Sequence, residues 1–238
     1  MGENSDPANE DRWPRPDLIV TIAALGLAMG LTPLVAELSS SGAGLAAPSA
    51  LGYFVFWLPL LAATILVRRR NWGGPSPIRW QLKPLDLLWG IGLGLLLRLA
   101  AALAELSMRG AIVAPSFLLP AKLSVIDLAT LIFGGVVAPV VIAPVVEEFF
   151  FRGTLLGSLM RAGGKPIGSI LAVVVSSLLF ALPHAITSTT MSGGATRFVI
   201  AGILGLGVGA ITMVTGRIGG AIVAHITFNV ALFLLVLG

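Results

Sequence analysis

Long uncharged stretches alternate with short polar segments along this chain. No charged residue occurs from Leu18 to Ala36, and a second charge-free stretch runs from Leu38 to Val67. The Gly-, Ser- and Pro-rich beginning of the second stretch, 39–49, is typical of a loop, so we expect its helix at about 50–67. About 20 apolar residues are enough for a helix to cross the hydrocarbon core of a bilayer. The pattern therefore predicts membrane-spanning helices.

The rest of the chain continues this pattern. We expect a third helix at 86–104, with Arg98 inside it, and no regular span over 105–125, where Pro115 and Pro120 interrupt the sequence. Later uncharged runs cover 128–146, 166–183, 198–216 and 218–238. We expect Pro139 and Pro144 to break the first of these runs, which leaves open whether it crosses once or folds back. The predicted fold is an all-α polytopic membrane bundle of about seven or eight transmembrane helices.

Composition excludes several classes of protein. Of 238 residues, 56% are hydrophobic and 11% are charged, whereas soluble domains carry about 25% charged residues. Too few polar side chains exist to cover a water-soluble globule. The absence of cysteine excludes disulfides, thiolate metal sites and a cysteine nucleophile. The net charge is +4, but the basic residues lie mainly in short loops beside apolar runs. The charge therefore does not indicate binding to nucleic acid.

One short loop carries the clearest topological signal: Arg68, Arg69, Arg70, Arg79 and Lys83. Clustered basic residues place a loop in the cytoplasm, and counting back through two spans puts the N-terminus there too. We therefore expect a multi-pass protein of the cell membrane. Its predicted parts are a polar cytoplasmic tail at 1–17, N-terminal transmembrane helices at 18–125, and a C-terminal core at 126–238. Glycines four apart, such as Gly90 and Gly94, would let helices approach closely.

Ionisable groups at membrane depth are functional-site candidates by default. Glu147, Glu148 and Arg152 follow directly after an apolar run. On a helix, Glu148 and Arg152 share a face, whereas Glu147 points about 100° away. We therefore expect Glu148 to hold the arginine as structural support, and Glu147 to stay unpaired as a candidate general base. The structural alternative is a buried ion pair with one acid reaching the helix end.

Both histidines of the chain, His184 and His225, lie in apolar spans of the C-terminal half, and Asn229 follows His225 by one helical turn. Glu147 and a histidine can deprotonate water, while a histidine and an amide can stabilise an oxyanion. This set fits attack of water on an amide carbonyl. Alternatively, Glu147, His184 and His225 could ligate zinc with an open fourth position, although the chain has no His-Glu-x-x-His motif.

The ordered motifs resemble those of the CAAX-protease and bacteriocin-processing (CPBP, or Abi) intramembrane proteases. Glu147, Glu148 and Arg152 match Glu-Glu-x-x-x-Arg, Phe180 and His184 match Phe-x-x-x-His, and His225 and Asn229 match His-x-x-x-Asn. The resemblance covers about residues 126–238, which would make this segment the catalytic core. It implies a helical core whose site is reached from the bilayer and the cytoplasmic side.

By resemblance, Glu147 and His184 would activate water, His225 and Asn229 would stabilise the oxyanion, and Glu148 and Arg152 would support the site. The predicted function is intramembrane peptide hydrolysis, either by water that glutamate activates or with a zinc ion. The substrate would be a prenylated CAAX-type or other membrane-associated peptide, as in bacteriocin maturation or self-immunity. The alternatives are a proton-coupled transporter, for which no second Glu-Glu copy is found, and a non-catalytic membrane scaffold.

Overall fold

The computed structural model describes residues 15–40, 46–70, 76–112, 125–163, 167–188 and 190–237. The first three helices are α1 (Pro16–Ser40), α2 (Ala46–Arg70) and α3 (Pro84–Arg109). The last three are α7 (Ile167–Ile186), α8 (Met191–Thr215) and α9 (Gly219–Leu237). The first helix thus takes in Pro16 and Asp17, which the sequence assigned to the polar tail, and residues 1–14 of that tail lie outside the described residues.

A continuous helical segment, 125–163, lies between these two groups. It consists of α4 (Val125–Thr130), π1 (Leu131–Ile142), α5 (Ala143–Glu147), π2 (Glu148–Leu156) and α6 (Gly157–Gly163), where π1 and π2 are π-helical. The expectation that Pro139 and Pro144 break this stretch is therefore wrong. Both prolines are accommodated because the backbone changes its hydrogen-bond repeat instead of ending the helix.

The predicted helical membrane bundle is confirmed. Among the described residues, six helices are long and apolar enough to cross a membrane, and Gly219–Leu235 forms a shorter apolar helix. These seven helices agree with the lower end of the predicted seven or eight transmembrane helices. Large apolar side chains such as Leu88 and Leu96 are exposed on the outside of the bundle, as expected where lipid is the solvent.

Helices α3 and α9 pack closely because glycine faces α9 at two positions. A Cβ atom at Gly90 would lie 2.5 Å from Cβ of Val223, and one at Gly94 would lie 2.5 Å from the carbonyl oxygen of Ala224. Neither neighbour is the end of a flexible side chain, so no larger residue fits without moving a helix. The predicted close approach at this glycine pair is present.

The two ends of the bundle differ in charge. We call one of them the basic end, and its basic residues within the described part of the chain are Arg15, Arg68, Arg69, Arg70, Arg79, Lys83, Arg161 and Arg217. Here Arg161 pairs with Asp17 at 2.7 Å, and Arg217 pairs with Asp86 at 2.8 Å. We call the opposite end, where α3 finishes and α8 begins, the cavity end.

Candidate active site

The polar centre of the molecule forms where π2, α7 and α9 meet. Glu148 and Arg152 lie on π2 and are almost completely buried, and His225 on α9 is 3% exposed. The guanidinium of Arg152 donates to Glu148 Oε1 at 3.1 Å, so the predicted ion pair is present. Nδ1 of His225 lies 2.9 Å from the same carboxylate oxygen. We call these three residues the inner cluster.

The guanidinium of Arg152 contacts three different helices. A second nitrogen donates to the carbonyl oxygen of Gly205 on α8 at 3.1 Å, and the guanidinium carbon lies 4.4 Å from the ring centroid of Phe180. A buried charge is tolerated when it is paired and hydrogen-bonded. Arg152 therefore ties together π2, α7 and α8 around the Glu148 carboxylate.

Glu148 has a role that the sequence did not reveal, because it holds His225 as well as the arginine. A carboxylate that is ionised by an arginine can only accept, so Nδ1 of His225 carries the proton. The other ring nitrogen, Nε2, is thereby directed away from Glu148, and Glu147 Oε2 lies 3.9 Å from it. This is the geometry by which a buried acid fixes the orientation of a catalytic histidine.

Glu147 faces a different environment from its neighbour, as its position on the helix predicts. Its side chain lines two cavities, of about 600 Å³ and about 370 Å³. The distance of 3.9 Å to His225 is too long for a direct hydrogen bond but suits a bridging water or substrate oxygen. Glu147 is thus the carboxylate of the pair that a substrate could reach.

His184 comes from the end of α7 and lines the same two cavities as Glu147. Its Nδ1 lies 2.9 Å from the carbonyl oxygen of Phe180. Since a carbonyl only accepts, Nδ1 carries a proton, and Nε2 of the neutral ring is left as an acceptor. Phe180 separates the two imidazoles, with ring centroids 4.8 Å from His184 and 5.7 Å from His225.

Asn229 lines the larger cavity together with His225. Its side-chain amide, however, donates to the carbonyl oxygen of Pro139 on π1 at 2.8 Å. One of the two N–H groups of this amide is thus engaged with the backbone, and the second is the one that could serve an oxyanion. The structure therefore brings all six predicted site residues to one region but gives Asn229 a backbone partner.

The candidate zinc ligands do not form a metal-binding group. Among the described residues, no three His, Asp or Glu side chains are placed so that they could hold a metal ion. Nδ1 of each histidine is engaged, one with Glu148 and one with the Phe180 carbonyl, so only the Nε2 atoms could bind a metal. A catalytic zinc needs three converging protein ligands, and Glu147, His184 and His225 do not fit that requirement.

Three cavity-lining residues were not assigned to the site from the sequence. Tyr53 is the chain's single tyrosine, lies within a span, and lines both cavities. Arg98 and Glu105 lie two helical turns apart on α3 and form a buried ion pair with 2.5 Å between nitrogen and oxygen. The sequence did contain signals for these residues, namely a lone tyrosine and an arginine inside apolar runs. Each of these side chains needs a polar partner in an apolar environment.

Comparison with known proteins supports the resemblance drawn from the motifs. Residues 128–231 match the family model described as Type II CAAX prenyl endopeptidase Rce1-like. No curated protein and no solved structure matches the chain. The matched segment contains all six predicted site residues and begins just before π1. Over this segment the chain is similar to the Rce1-like type II CAAX prenyl endopeptidases, a family of membrane proteases.

Proposed function

We propose that this protein hydrolyses a peptide bond of a membrane-associated peptide with water that Glu147 activates. The observation that carries the proposal is the asymmetry of the acidic doublet. Glu148 is enclosed with Arg152 and His225, whereas Glu147 opens on two cavities beside His184 and 3.9 Å from His225. A base and a hydrogen-bond donor on opposite sides of a small gap suit attack on a carbonyl.

In the proposed reaction, Glu147 takes a proton from water, and Nε2 of His184 accepts the second hydrogen bond of that water. The hydroxide oxygen bonds to the carbonyl carbon, and the carbonyl oxygen becomes an oxyanion. Collapse of this intermediate breaks the C–N bond, and Glu147 returns its proton to the leaving amine. The reaction consumes one water and yields a carboxylic acid, which then releases its proton to solvent, and an amine.

We assign the oxyanion role to His225. For this role Nε2 must carry a proton, which makes the ring an imidazolium. The Glu148 carboxylate 2.9 Å from Nδ1 supports that form. Two carboxylates, one guanidinium and one imidazolium then sum to zero net charge, which favours a buried group of this size.

We further propose that the N-terminus lies in the cytoplasm, because far more Lys and Arg residues lie at the basic end than at the cavity end, where the described ones are Arg109 and Arg197. Both cavities lie toward the opposite end. The larger one is lined by Arg109, Arg197 and Phe233, and the smaller one by Thr187. A substrate would then enter from the bilayer or the non-cytoplasmic face, which differs from the cytoplasmic access that the resemblance implies. Such access favours a secreted or membrane-bound peptide over a cytosolic prenylated protein.

Peptide cleavage by the purified protein in liposomes tests the activity. We expect the wild type to cleave members of a fluorogenic panel that contains prenylated and unprenylated membrane peptides, and Glu147→Ala and His225→Ala to cleave none. Unfolding midpoints measured in parallel show that the variants are folded. Retained cleavage by Glu147→Ala would refute the assigned base, and a preference within the panel identifies the substrate class.

The absence of cysteine allows a direct test of orientation. Met191 is 94% exposed at the start of α8, at the cavity end, and Arg69 is exposed at the basic end. In intact cells, a membrane-impermeant maleimide should label Met191→Cys but not Arg69→Cys. The reverse pattern would place the cavities on the cytoplasmic side and overturn this orientation.

A further inference from the structure

Two prolines in the helical segment before Glu147 each remove a backbone donor. In a π-helix, the carbonyl of one residue accepts from the N–H five residues later. Pro139 lies five residues after Gly134, and Pro144 lies five residues after Pro139. Proline has no N–H. The repeat of π1, carried two residues past its end to Pro144 in α5, therefore leaves the carbonyl groups of Gly134 and Pro139 without a backbone N–H partner.

Each of these two carbonyl groups receives a side-chain donor from a different helix. The hydroxyl of Tyr53 on α2 donates to the Gly134 oxygen at 3.2 Å. The amide of Asn229 on α9 donates to the Pro139 oxygen at 2.8 Å. Unsatisfied backbone groups are costly in an apolar environment, and donors from neighbouring helices are one way in which membrane helices tolerate proline. The two donors thus replace the two missing N–H groups one for one.

The replaced bonds lie beside the candidate active site. Tyr53, Gly134, Pro139 and Asn229 all line the larger cavity with Glu147. Pro144 precedes Glu147 by three residues, less than one helical turn. The helix that supplies Asn229 also supplies His225, one turn earlier. A shift at the Pro139 carbonyl would therefore change where Glu147 lies relative to His225.

We propose that Tyr53 and Asn229 are positioning residues that supply the hydrogen bonds removed by Pro139 and Pro144 and so fix the wide-turn helix that presents Glu147. Asn229 acts through the Pro139 carbonyl, and Tyr53 through the Gly134 carbonyl. The effect on cleavage rests on the proposed function, whereas the effect on folding does not. This role uses one N–H of the Asn229 amide, whereas the contact with the reacting oxygen is the one proposed above for His225.

The test restores the missing backbone donors by replacing the prolines. Asn229→Leu keeps the size of the side chain but has no donor, and we expect it to lower kcat at least 10-fold and to lower the unfolding midpoint. Pro144→Ala adds an N–H five residues after Pro139. The double variant Asn229→Leu with Pro144→Ala should return kcat to within about threefold of the Pro144→Ala single variant and should recover the midpoint.

Tyr53→Phe provides the second, independent arm, because the change removes the hydroxyl alone. Its losses should be recovered by Pro139→Ala, which adds an N–H five residues after Gly134. The crossed combinations, Asn229→Leu with Pro139→Ala and Tyr53→Phe with Pro144→Ala, are the matched controls and should recover nothing. If only the matched pairs recover, then a general stabilisation caused by removing a proline cannot be the reason, because it would also appear in the crossed pairs.

The outcomes distinguish this proposal from an oxyanion role and from failure of the proposed function. If Asn229 acted on the oxyanion instead, Pro144→Ala would restore neither kcat nor the midpoint, and the positioning role would be refuted. Recovery of the midpoint without recovery of kcat would refute positioning as the way in which Asn229 supports cleavage. Equal recovery in matched and crossed pairs would also refute it. If the wild type cleaves no peptide, the proposed function fails, yet the unfolding midpoints still test the positioning bonds. If Asn229→Leu aggregates, the folded yield of its two double variants gives the same comparison.

Discussion

The inner cluster and the basic end use the same kind of ion pair for different purposes. At the basic end, the Arg161 and Arg217 side chains are 13% and 14% exposed, and each pairs with one buried aspartate near a helix terminus. In the inner cluster, Arg152 is 1% exposed, and its carboxylate partner also holds an imidazole. The imidazole then reaches a cavity.

The difference shows which feature distinguishes a structural ion pair from part of a functional site. In both regions one carboxylate oxygen is buried without a hydrogen-bond partner among the described residues, Oδ1 of Asp17 and Oε2 of Glu148. Burial alone does not separate the two pairs either, since Asp17 and Glu148 are equally inaccessible. The difference lies in the contacts beyond the ion pair. In the inner cluster, Arg152 contacts Glu148, Glu148 contacts His225, and His225 lines the larger cavity.

The largest loss of stability is expected for Arg152→Ala. It removes the partner of a carboxylate that no solvent reaches, and breaking a buried pair in this way costs about 3–5 kcal/mol. The drop in the unfolding midpoint in detergent micelles measures the effect, and folded yield should fall as well. A midpoint within the error of the wild type would mean that the inner cluster does not hold the bundle together.

A smaller but clear loss is expected for Gly94→Ala. The added methyl group would lie 2.5 Å from the Ala224 carbonyl oxygen, so α9 must move and takes His225 with it. We expect a cost of about 1–3 kcal/mol and a reduced cleavage rate. Gly92→Ala is the matched control, because no atom lies within 4 Å of its added Cβ. Equal effects at the two glycines would contradict the close packing of α3 on α9.

At the basic end, Arg217→Ala should lower the unfolding midpoint less than Arg152→Ala and leave the cleavage rate unchanged. The hydrogen bond to Asp86 raises the pKa of Arg217, so the guanidinium stays charged over the working pH range. Removing it leaves Asp86 with the backbone N–H of Lys83 as a partner at 2.8 Å. A loss of cleavage as large as that of Glu147→Ala would show that the basic end also belongs to the catalytic machinery.

The smallest effect is expected from chelation. Since Glu147, His184 and His225 do not form a three-ligand group, we expect the wild-type cleavage rate to be the same with and without a strong chelator. Loss of activity on chelation, restored by zinc, would contradict this expectation and favour the zinc alternative.

Much of this architecture could be predicted from the sequence, because apolar run length and charge placement report directly on spans. The Glu148–Arg152 pair followed from helical spacing, and the family from three ordered motifs. The path of residues 125–163 could not be predicted, since proline indicates a break unless other helices supply donors. Those donors, Tyr53 and Asn229, are distant in sequence from the carbonyl groups that they reach. The bond between Glu148 and His225 was hidden for the same reason.

The most direct test of the account compares two identical changes at adjacent residues, Glu147→Gln and Glu148→Gln, by the peptide cleavage rate per folded molecule and the unfolding midpoint. We expect Glu147→Gln to lower cleavage by about 100-fold or more while its midpoint stays near that of the wild type. Glu148→Gln should lower the midpoint, because Arg152 and His225 lose their shared carboxylate. Cleavage at the wild-type rate by Glu147→Gln would contradict the claim that the cavity-facing acid is the base.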